Sequence, residues 1–450
     1  MARDQFDPTP IESRDELVAW FAQGCKPASE FRIGTEHEKI PFRSGTTRPV
    51  AYEGPDGIGA LLYALEKDSG WEPIMDGPAI IGLADSEGGG AISLEPGGQF
   101  ELSGAPLATL HEGAQELDRH LEAVKRLGQG LGISFLSLGV SPVWSRSETP
   151  VMPKGRYGIM RAYMPKVGTM GLDMMFRTTT VQVNLDFSSE ADMVKKLQVS
   201  LALQSLATAL FANSPVMDGQ SNGFLSTRGE IWRHTDADRT GLIPFAFEKG
   251  MGFERYVDWA LDVPMYFVKR GDVYHDVAGA SFRDLMAGRL AALPKERATL
   301  SDWANHVSTL FPDVRLKRYL EMRGADAGPP DMLKALPAFW VGLLYDPASL
   351  AAAWDVVKAW TAQDRQALRD AVPRQALAAQ IAGRSLQDVA RDVLQIAAQG
   401  LKARGLGEEI YLAPLEEIPA SGQTRAQLLL ARYGTDWRAA ADRIFTEQIF

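Results

Sequence analysis

Two glutamates stand one residue apart in FRIGTEHEKIPF, residues 31 to 42, a stretch that otherwise has the pattern of a buried strand. Side chains two positions apart on a strand point to the same face, about 7 Å from each other. Glu36 and Glu38 therefore share a face. Like charges so close repel each other and raise each other's pKa unless a cation lies between them. The spacing predicts a cation site on the face of a sheet.

Three other stretches alternate apolar and polar residues in the same way, and we interpret each as one strand. Their polar faces carry acids, amides and a cation: Gln182 and Asn184 in TVQVNLDF, Glu101 in EPGGQFELSG, and Glu321 and Arg323 in VRLKRYLEMRG. Glu95 lies just before the Pro-Gly-Gly bend of the second stretch. Strands with one apolar face each predict an antiparallel sheet whose back packs on helices and whose front is a polar site.

Clustered oxygen ligands suit Mg²⁺ or Mn²⁺ far better than zinc, and nearby arginine and lysine suit phosphoryl groups. The pattern therefore predicts a site for a nucleotide and a divalent metal. Each of these residue pairs could also have no role in binding. Glu36 and Glu38 could lie on a solvated sheet face, and Glu321 with Arg323 could form a surface ion pair worth about 0–1 kcal/mol. Recurrence on strands far apart in sequence favours a site, and both interpretations stay open at this point.

Motifs of other enzyme classes are missing from the sequence. There is no Gly-Lys dipeptide and hence no Walker-type phosphate loop, and neither His-Glu pair is followed by the second histidine of a zinc-protease helix. The single cysteine, Cys25, excludes an intrachain disulfide. From it, and from a start without signal-peptide character, we predict a reducing, cytoplasmic location.

The composition narrows the range of partners. The chain has 450 residues, 45% of them hydrophobic, and a formal net charge of -10. Nucleic-acid binding needs clustered positive charge, which an acidic chain lacks. The most apolar stretch, LALQSLATALFA, is shorter than the roughly 20 residues of a membrane span. We therefore expect no nucleic-acid or membrane partner. Small-molecule substrates and a monomer or a homodimer are also expected, although the composition decides neither.

The elements that must position these residues belong to an α+β chain. Turn-punctuated strands dominate from about residue 30 to 190, the pattern is mixed from 190 to 330, and Ala/Leu-rich helical periodicity dominates from about 331 to 450. A long helix is predicted from about 190 to 212. Because no repeat or flexible linker separates these parts, we expect a single domain over residues 1–450.

The quoted stretches together resemble the plant-type glutamate-cysteine ligases and their alphaproteobacterial relatives. The resemblance covers nearly the whole chain, through strings such as GCKPASEFRIGTEHEKIPF, SLEPGGQFELSGAP and FPDVRLKRYLEMRGADAGP. It implies a fold of the glutamine-synthetase type: a curved antiparallel sheet with the active site on its concave face, packed by helices, and a helical C-terminal part.

The activity implied by this resemblance is ATP-dependent joining of the glutamate γ-carboxylate to the cysteine amine through a γ-glutamyl phosphate, the first step of glutathione biosynthesis, with Mg²⁺ or Mn²⁺. A ligase of the same fold that couples glutamate to another amine is the nearest alternative. A binding or regulatory protein that holds nucleotide without turnover, and a metal-dependent hydrolase, are alternatives from other classes.

The resemblance also implies roles for single residues. Five positions resemble metal ligands of the family: Glu36, Glu38, Glu95, Glu101 and Glu321. Which of Glu95 and Glu101 binds the metal directly is left open. The remaining roles are catalysis near the transferred phosphoryl group for Arg323 and Glu321, substrate binding for Arg228, Asn184 and Arg177, and nucleotide binding for Gln182, Lys166 and Arg161. No nucleophilic side chain is required, because the substrate carboxylate itself attacks ATP.

Overall fold

The computed structural model describes residues 7–450. Within this range the strands are β1 (Ile33–Arg43), β2 (Glu72–Asp76), β3 (Ala79–Ala84), β4 (Ala91–Leu94), β5 (Phe100–Ser103), β6 (Ile133–Leu136), β7 (Thr180–Leu185), β8 (Val216–Met217), β9 (Gln220–Ser221), β10 (Thr240–Gly241), β11 (Phe267–Arg270), β12 (Val273–Asp276), β13 (Phe311–Pro312), β14 (Val314–Leu316), β15 (Leu320–Asp326), β16 (Gln380–Ile381) and β17 (Arg384–Ser385).

The helices over the same range are α1 (Arg14–Ala22), α2 (Ile58–Ser69), α3 (Leu110–Gly130), α4 (Gly155–Val167), α5 (Gly171–Arg177), α6 (Glu190–Leu210), α7 (Thr227–Arg233), α8 (Phe253–Asp262), α9 (Phe282–Met286), α10 (Leu300–Ser308), α11 (Pro330–Leu344), α12 (Pro347–Val357), α13 (Ala362–Gln375), α14 (Leu386–Arg404), α15 (Ala413–Ser421), α16 (Arg425–Tyr433) and α17 (Ala441–Glu447). None of the helices among residues 7–450 is both long and apolar enough to cross a membrane.

One antiparallel sheet positions the predicted residues. Among the described residues it has nine strands in the order β14-β15-β7-β1-β5-β4-β3-β2, and β6 pairs with the end of β1. Across the central strands Glu38 lies opposite Glu101, and Glu36 lies opposite Gln182. The face that carries Glu36 and Glu38 is hereafter the front of the sheet, and the predicted antiparallel arrangement of these strands is confirmed.

The back of the sheet is covered by helices because its side chains are apolar. Val181, Val183 and Leu185 of β7 are fully or almost fully buried in the main core, where α11 packs on β7 and α6 on β15. Burying one such side chain contributes roughly 1.5–3 kcal/mol. The long helix predicted from about 190 to 212 is confirmed as α6, which begins after Ser189, whose side chain accepts a hydrogen bond from the Asp192 N–H.

The stretch VRLKRYLEMRG is a hairpin, so its interpretation as a single strand is wrong. β14 ends at Leu316 and β15 begins at Leu320, and Arg315 lies opposite Glu321. Alternation did not reveal the turn, because the residues paired across this hairpin are separated by even numbers of positions. The alternating pattern therefore continues through the turn, and the same residues face the front in either interpretation.

Candidate active site

A cavity of about 120 Å³ lies on the front of the sheet. Its walls come from the sheet, from α4 and α5, and from the segment around residues 308–311. Four of the five predicted metal ligands line it: Glu36, Glu38, Glu95 and Glu101. Side chains from strands that are distant in sequence therefore meet at one cavity.

The acidic side of the cavity is built by the pairing of β1 with β5. Glu101 accepts hydrogen bonds from the Ser93 hydroxyl at 3.0 Å and the Ser103 hydroxyl at 2.7 Å. Glu38 accepts one from the Thr180 N–H at 3.1 Å. These donors fix both carboxylates on the front of the sheet.

Glu95 is positioned by the Pro-Gly-Gly turn that the sequence singled out. The Gly98 N–H donates to the Glu95 carbonyl at 2.9 Å, and Gly98 has φ +86°, a conformation that glycine adopts without strain. A Cβ atom at Gly97 would lie 2.2 Å from the Phe176 carbonyl oxygen, so the turn can pack there only without a side chain. The turn brings Glu95 to the cavity.

Burial and crowding raise the pKa values of two of these carboxylates, Glu38 and Glu95. Burial raises the pKa of Glu38 well above its ordinary value, and repulsion from Glu95 and Glu101 raises it further. Burial and repulsion from Glu101 raise the pKa of Glu95 to about 7. A cation placed among the three carboxylates would remove this repulsion, which is the chemistry predicted for the acidic pair.

The opposite side of the cavity is cationic. Arg315 binds Glu321 through two hydrogen bonds of 2.5 and 3.0 Å, and Arg323 lies 3.2 Å from the same carboxylate. Arg323 also donates to the Gln182 side-chain oxygen at 2.6 Å. Lys317 lies 3.6 Å from Glu321, and burial together with repulsion from Arg315 lowers its pKa to about 8. The group has more positive than negative charge and suits phosphoryl oxygens.

Glu321 has a different setting from the other predicted ligands. Its side chain is completely buried, it does not line the cavity, and Arg315, Lys317 and Arg323 surround it. These cations hold the pKa of Glu321 well below its ordinary value, outweighing the effect of burial. The carboxylate therefore orients the arginines in this arrangement, and a metal role for Glu321 stays a prediction.

Two predicted substrate-binding residues lie at or beside the cavity. Arg228 is buried, lines the cavity, and donates to the Arg323 carbonyl oxygen at 2.7 Å. Asn184 does not line the cavity, and its amide donates to Glu36 at 2.8 Å. Asn184 thus positions a predicted metal ligand, and direct substrate contact by either residue stays a prediction.

Three predicted residues are not brought to the cavity. Arg177 is buried elsewhere, where it pairs with Asp173 at 3.1 Å and Asp218 at 2.7 Å. Arg161 and Lys166 are exposed on α4 and do not line the cavity. All three lie within a stretch of sequence that resembles the family, but residues that are close along the chain need not be close to the cavity. Their roles stay predictions.

Several cavity residues were not predicted. Arg315 lies six positions before Glu321, an even number, so the alternation in VRLKRYLEMRG already placed its side chain on the same face as Glu321. Lys317 in the hairpin turn carries the same signal. No comparable signal marks the others, which come from α4, α7 and β11: Arg156, Tyr157, Trp232 and Phe267. Their approach to the sheet is a result of tertiary packing.

The donors fit a divalent cation that also binds a nucleotide. Among residues 7–450, no three His, Cys, Asp or Glu side chains are arranged to hold a metal ion by themselves. Mg²⁺ commonly takes one or two carboxylates and completes its shell with substrate phosphates and water. Crowded carboxylates with a raised pKa, facing a cationic group that suits phosphate, match this incomplete type of site.

Comparisons with known proteins give matches over nearly the whole chain. Residues 32–447 match the sequence profile of glutamate-cysteine ligase family 2. The chloroplastic glutamate–cysteine ligase of Arabidopsis thaliana is 53% identical over 438 residues, which cover 97% of this chain and 83% of the relative. Ligase A of Oryza sativa subsp. indica is 52% identical, with coverage of 97% and 88%.

A solved structure shares the fold. The glutamate–cysteine ligase of Francisella tularensis in complex with AMP aligns with a TM-score of 0.54 at 13% identity, over 98% of this chain and 90% of that chain. At this identity the likeness concerns the fold, and it confirms the predicted fold class.

The cytoplasmic location predicted from the sequence is wrong by the same comparisons. The similar relatives from Arabidopsis thaliana, Nicotiana tabacum and Solanum lycopersicum are chloroplastic enzymes, so the relatives do not share the predicted location. The prediction rested on one cysteine and on a start without signal-peptide character. A low cysteine count excludes an intrachain disulfide but does not distinguish one compartment from another.

Proposed function

Because the chain belongs to glutamate-cysteine ligase family 2, we propose that it joins the γ-carboxylate of L-glutamate to the amine of L-cysteine with ATP as co-substrate. The products are γ-glutamylcysteine, ADP and phosphate, and the reaction is the first step of glutathione biosynthesis. The observation that carries this proposal is the cavity itself, where an acidic cluster on β1 and β5 faces a cationic group on β14 and β15.

The chemistry has two steps on the substrates. An oxygen of the glutamate γ-carboxylate attacks the γ-phosphorus of ATP, and the bond to ADP breaks. The cysteine nitrogen then attacks the acyl phosphate carbon, loses a proton, and expels inorganic phosphate. No side chain becomes covalently attached, so the protein acts by positioning and by electrostatic stabilisation.

Mg²⁺ or Mn²⁺ would be held by one or two carboxylates of the set Glu36, Glu38, Glu95 and Glu101. When bound, the ion would screen the negative charge of the transferring phosphoryl group. On the other side, Arg323 and Lys317 present positive charge to the same space, and Glu321 with Gln182 fixes the direction of Arg323. Arg228 is the guanidinium available for a substrate carboxylate.

The test is ADP release measured with each substrate omitted in turn. Release is expected to require glutamate and cysteine together, with one γ-glutamylcysteine formed per ADP. Full activity with another amine and none with cysteine would favour the alternative ligase. ADP release without either amino acid would indicate a nucleotide hydrolase and would contradict the proposal.

A further inference from the structure

Arg228 is fixed in place through both its backbone and its side chain. It is the second residue of α7, and its N–H donates to the Ser214 hydroxyl at 3.2 Å. Its guanidinium donates to the Arg323 carbonyl oxygen at 2.7 Å. The start of α7 is capped by Ser226, whose hydroxyl accepts a hydrogen bond from the Gly229 N–H at 3.0 Å. Two serine hydroxyls therefore act as acceptors for the first turn of this helix.

Both hydroxyls are oriented by one buried carboxylate. Asp326 accepts hydrogen bonds from the Ser214 hydroxyl at 2.6 Å and the Ser226 hydroxyl at 2.8 Å. A hydroxyl has one proton, so donating it to Asp326 leaves its lone pairs for the N–H groups of α7. Asp326 also accepts from the Asn213 N–H at 2.9 Å, which fixes the carboxylate itself.

Asp326 further connects α7 to the strand of the cationic group. It is the last residue of β15, the strand that carries Arg323, so both attachments of Arg228 lead to this strand. A Cβ atom at Gly139 would lie 2.6 Å from the Asp326 Cβ, which shows how closely the carboxylate is packed. Asp326 is 1% and Arg228 2% exposed, so water does not screen their attraction.

We propose that Asp326 is a positioning residue that sets the orientation of Arg228 toward the carboxylate of the amino-acid substrate. The inference rests on the role proposed above for Arg228. Asp326 acts through the Ser214 and Ser226 hydroxyls and through the shared strand, and it does not touch substrate. Its loss should therefore weaken amino-acid binding more than nucleotide binding or turnover.

The test compares Asp326→Asn with the wild-type enzyme. An amide has one acceptor oxygen and a donor nitrogen, so one serine hydroxyl can no longer donate to this side chain and loses the hydrogen bond that orients it toward α7. We expect KM for glutamate to rise at least tenfold, with KM for ATP and kcat changed less than threefold. Calorimetric titration with glutamate provides the same comparison without turnover, and exposed Asp355→Asn is the control expected to match the wild type.

A second pair of variants covers the case in which Asp326→Asn does not fold. Ser226→Ala should raise KM for glutamate. Ser226→Thr keeps the hydroxyl and should have the wild-type KM. Unchanged glutamate affinity in Ser226→Ala, even with a lower melting temperature, would overturn the inference.

Arg228→Lys separates this inference from the proposed function. If it weakens glutamate binding and Asp326→Asn does not, only the role of Asp326 fails. If neither affects glutamate binding, the proposed role of Arg228 fails as well. Absence of ADP release from the wild-type enzyme would contradict the proposed function, and the titration would still decide the role of Asp326.

Discussion

Glu38 and Glu101 lie opposite each other on β1 and β5 and line one cavity, together with Glu95 from the turn between β4 and β5. Each carboxylate alone is ordinary for a strand that borders a polar site. Their convergence keeps the pKa of Glu95 at about 7 and that of Glu38 well above its usual value, because burial and mutual repulsion both oppose ionisation. The ligand-free protein thus tolerates an arrangement that a bound cation would relieve.

Glu38→Gln should separate activity from stability. We expect kcat to fall about 100-fold or more, because loss of a metal ligand removes several kcal/mol of charge stabilisation in phosphoryl transfer. The melting temperature without ligands should stay the same or rise, since one repelling carboxylate is gone. Coupled ADP assays and thermal unfolding measure the two effects, with exposed Glu87→Gln as the control. A variant with normal kcat would remove Glu38 from the metal site.

At the scale of elements, α10 is joined to α8 by a buried histidine. His306 Nε2 donates to the Ala260 carbonyl oxygen at 2.7 Å, and its ring stacks on Phe282 with centroids 5.0 Å apart. Burial lowers the pKa of His306 from its usual 6.5 to about 4. Above pH 6.5 the ring is neutral in both states. Between pH 6.5 and 4 the unfolded chain takes up a proton that the folded protein does not, so stability falls as pH falls.

This linkage predicts that His306→Gln flattens the pH dependence of unfolding. The histidine should account for about 2 kcal/mol of the unfolding free energy lost between pH 7 and pH 5, and the variant should not show that part. Urea unfolding at the two pH values measures it, with His275→Gln on β12 as the control. Equal losses in wild type and His306→Gln would show that the ring is not kept neutral by the fold.

The crossing of α11 and α14 depends on two glycines. A Cβ atom at Gly400 would lie 1.9 Å from the Gly342 carbonyl oxygen, and one at Gly342 would lie 2.3 Å from that of Ala397. The backbones therefore approach more closely than any side chain allows. This contact packs α14 against the helix that covers β7.

Gly400→Ala should destabilise the protein by about 1–3 kcal/mol, because the added methyl group forces the helices apart. Gly113→Ala, within α3 and with no atom within 4 Å of the new Cβ, is the matched control. It should stabilise by about 0.5–1 kcal/mol through helix propensity. Denaturant unfolding compares the two variants, and effects of the same sign would contradict the close contact.

For the whole molecule, metal and nucleotide should be required for activity and not for folding. No complete protein ligand set for a metal occurs among residues 7–450, and the core is formed by apolar side chains behind the sheet. Chelation with EDTA should therefore abolish ligation while the melting temperature of the ligand-free protein stays unchanged. Added ATP with Mg²⁺ at about 100 times its Kd should increase stability by about 2.7 kcal/mol. Unfolding by EDTA alone would indicate a structural metal.

The sequence by itself determined which side chains face the front of the sheet. Alternation along a strand is a local property, so the spacing of Glu36, Glu38, Glu101, Gln182 and Glu321 is enough to assign each of them to the polar face of its own strand. The long stretches that resemble known ligases indicated the family. Neither source depends on how the strands are ordered.

Only the tertiary structure decided which charges meet. Alternation contains no information on distance between strands. It therefore could not show that Arg315 forms an ion pair with Glu321 across a hairpin, or that Arg177 lies away from the cavity. Residues such as Tyr157 and Phe267 reach the site from a helix and a separate hairpin, through contacts between parts of the chain far apart in sequence. Those contacts form only when the whole core packs, and the packed core sets the distances on which binding and catalysis depend.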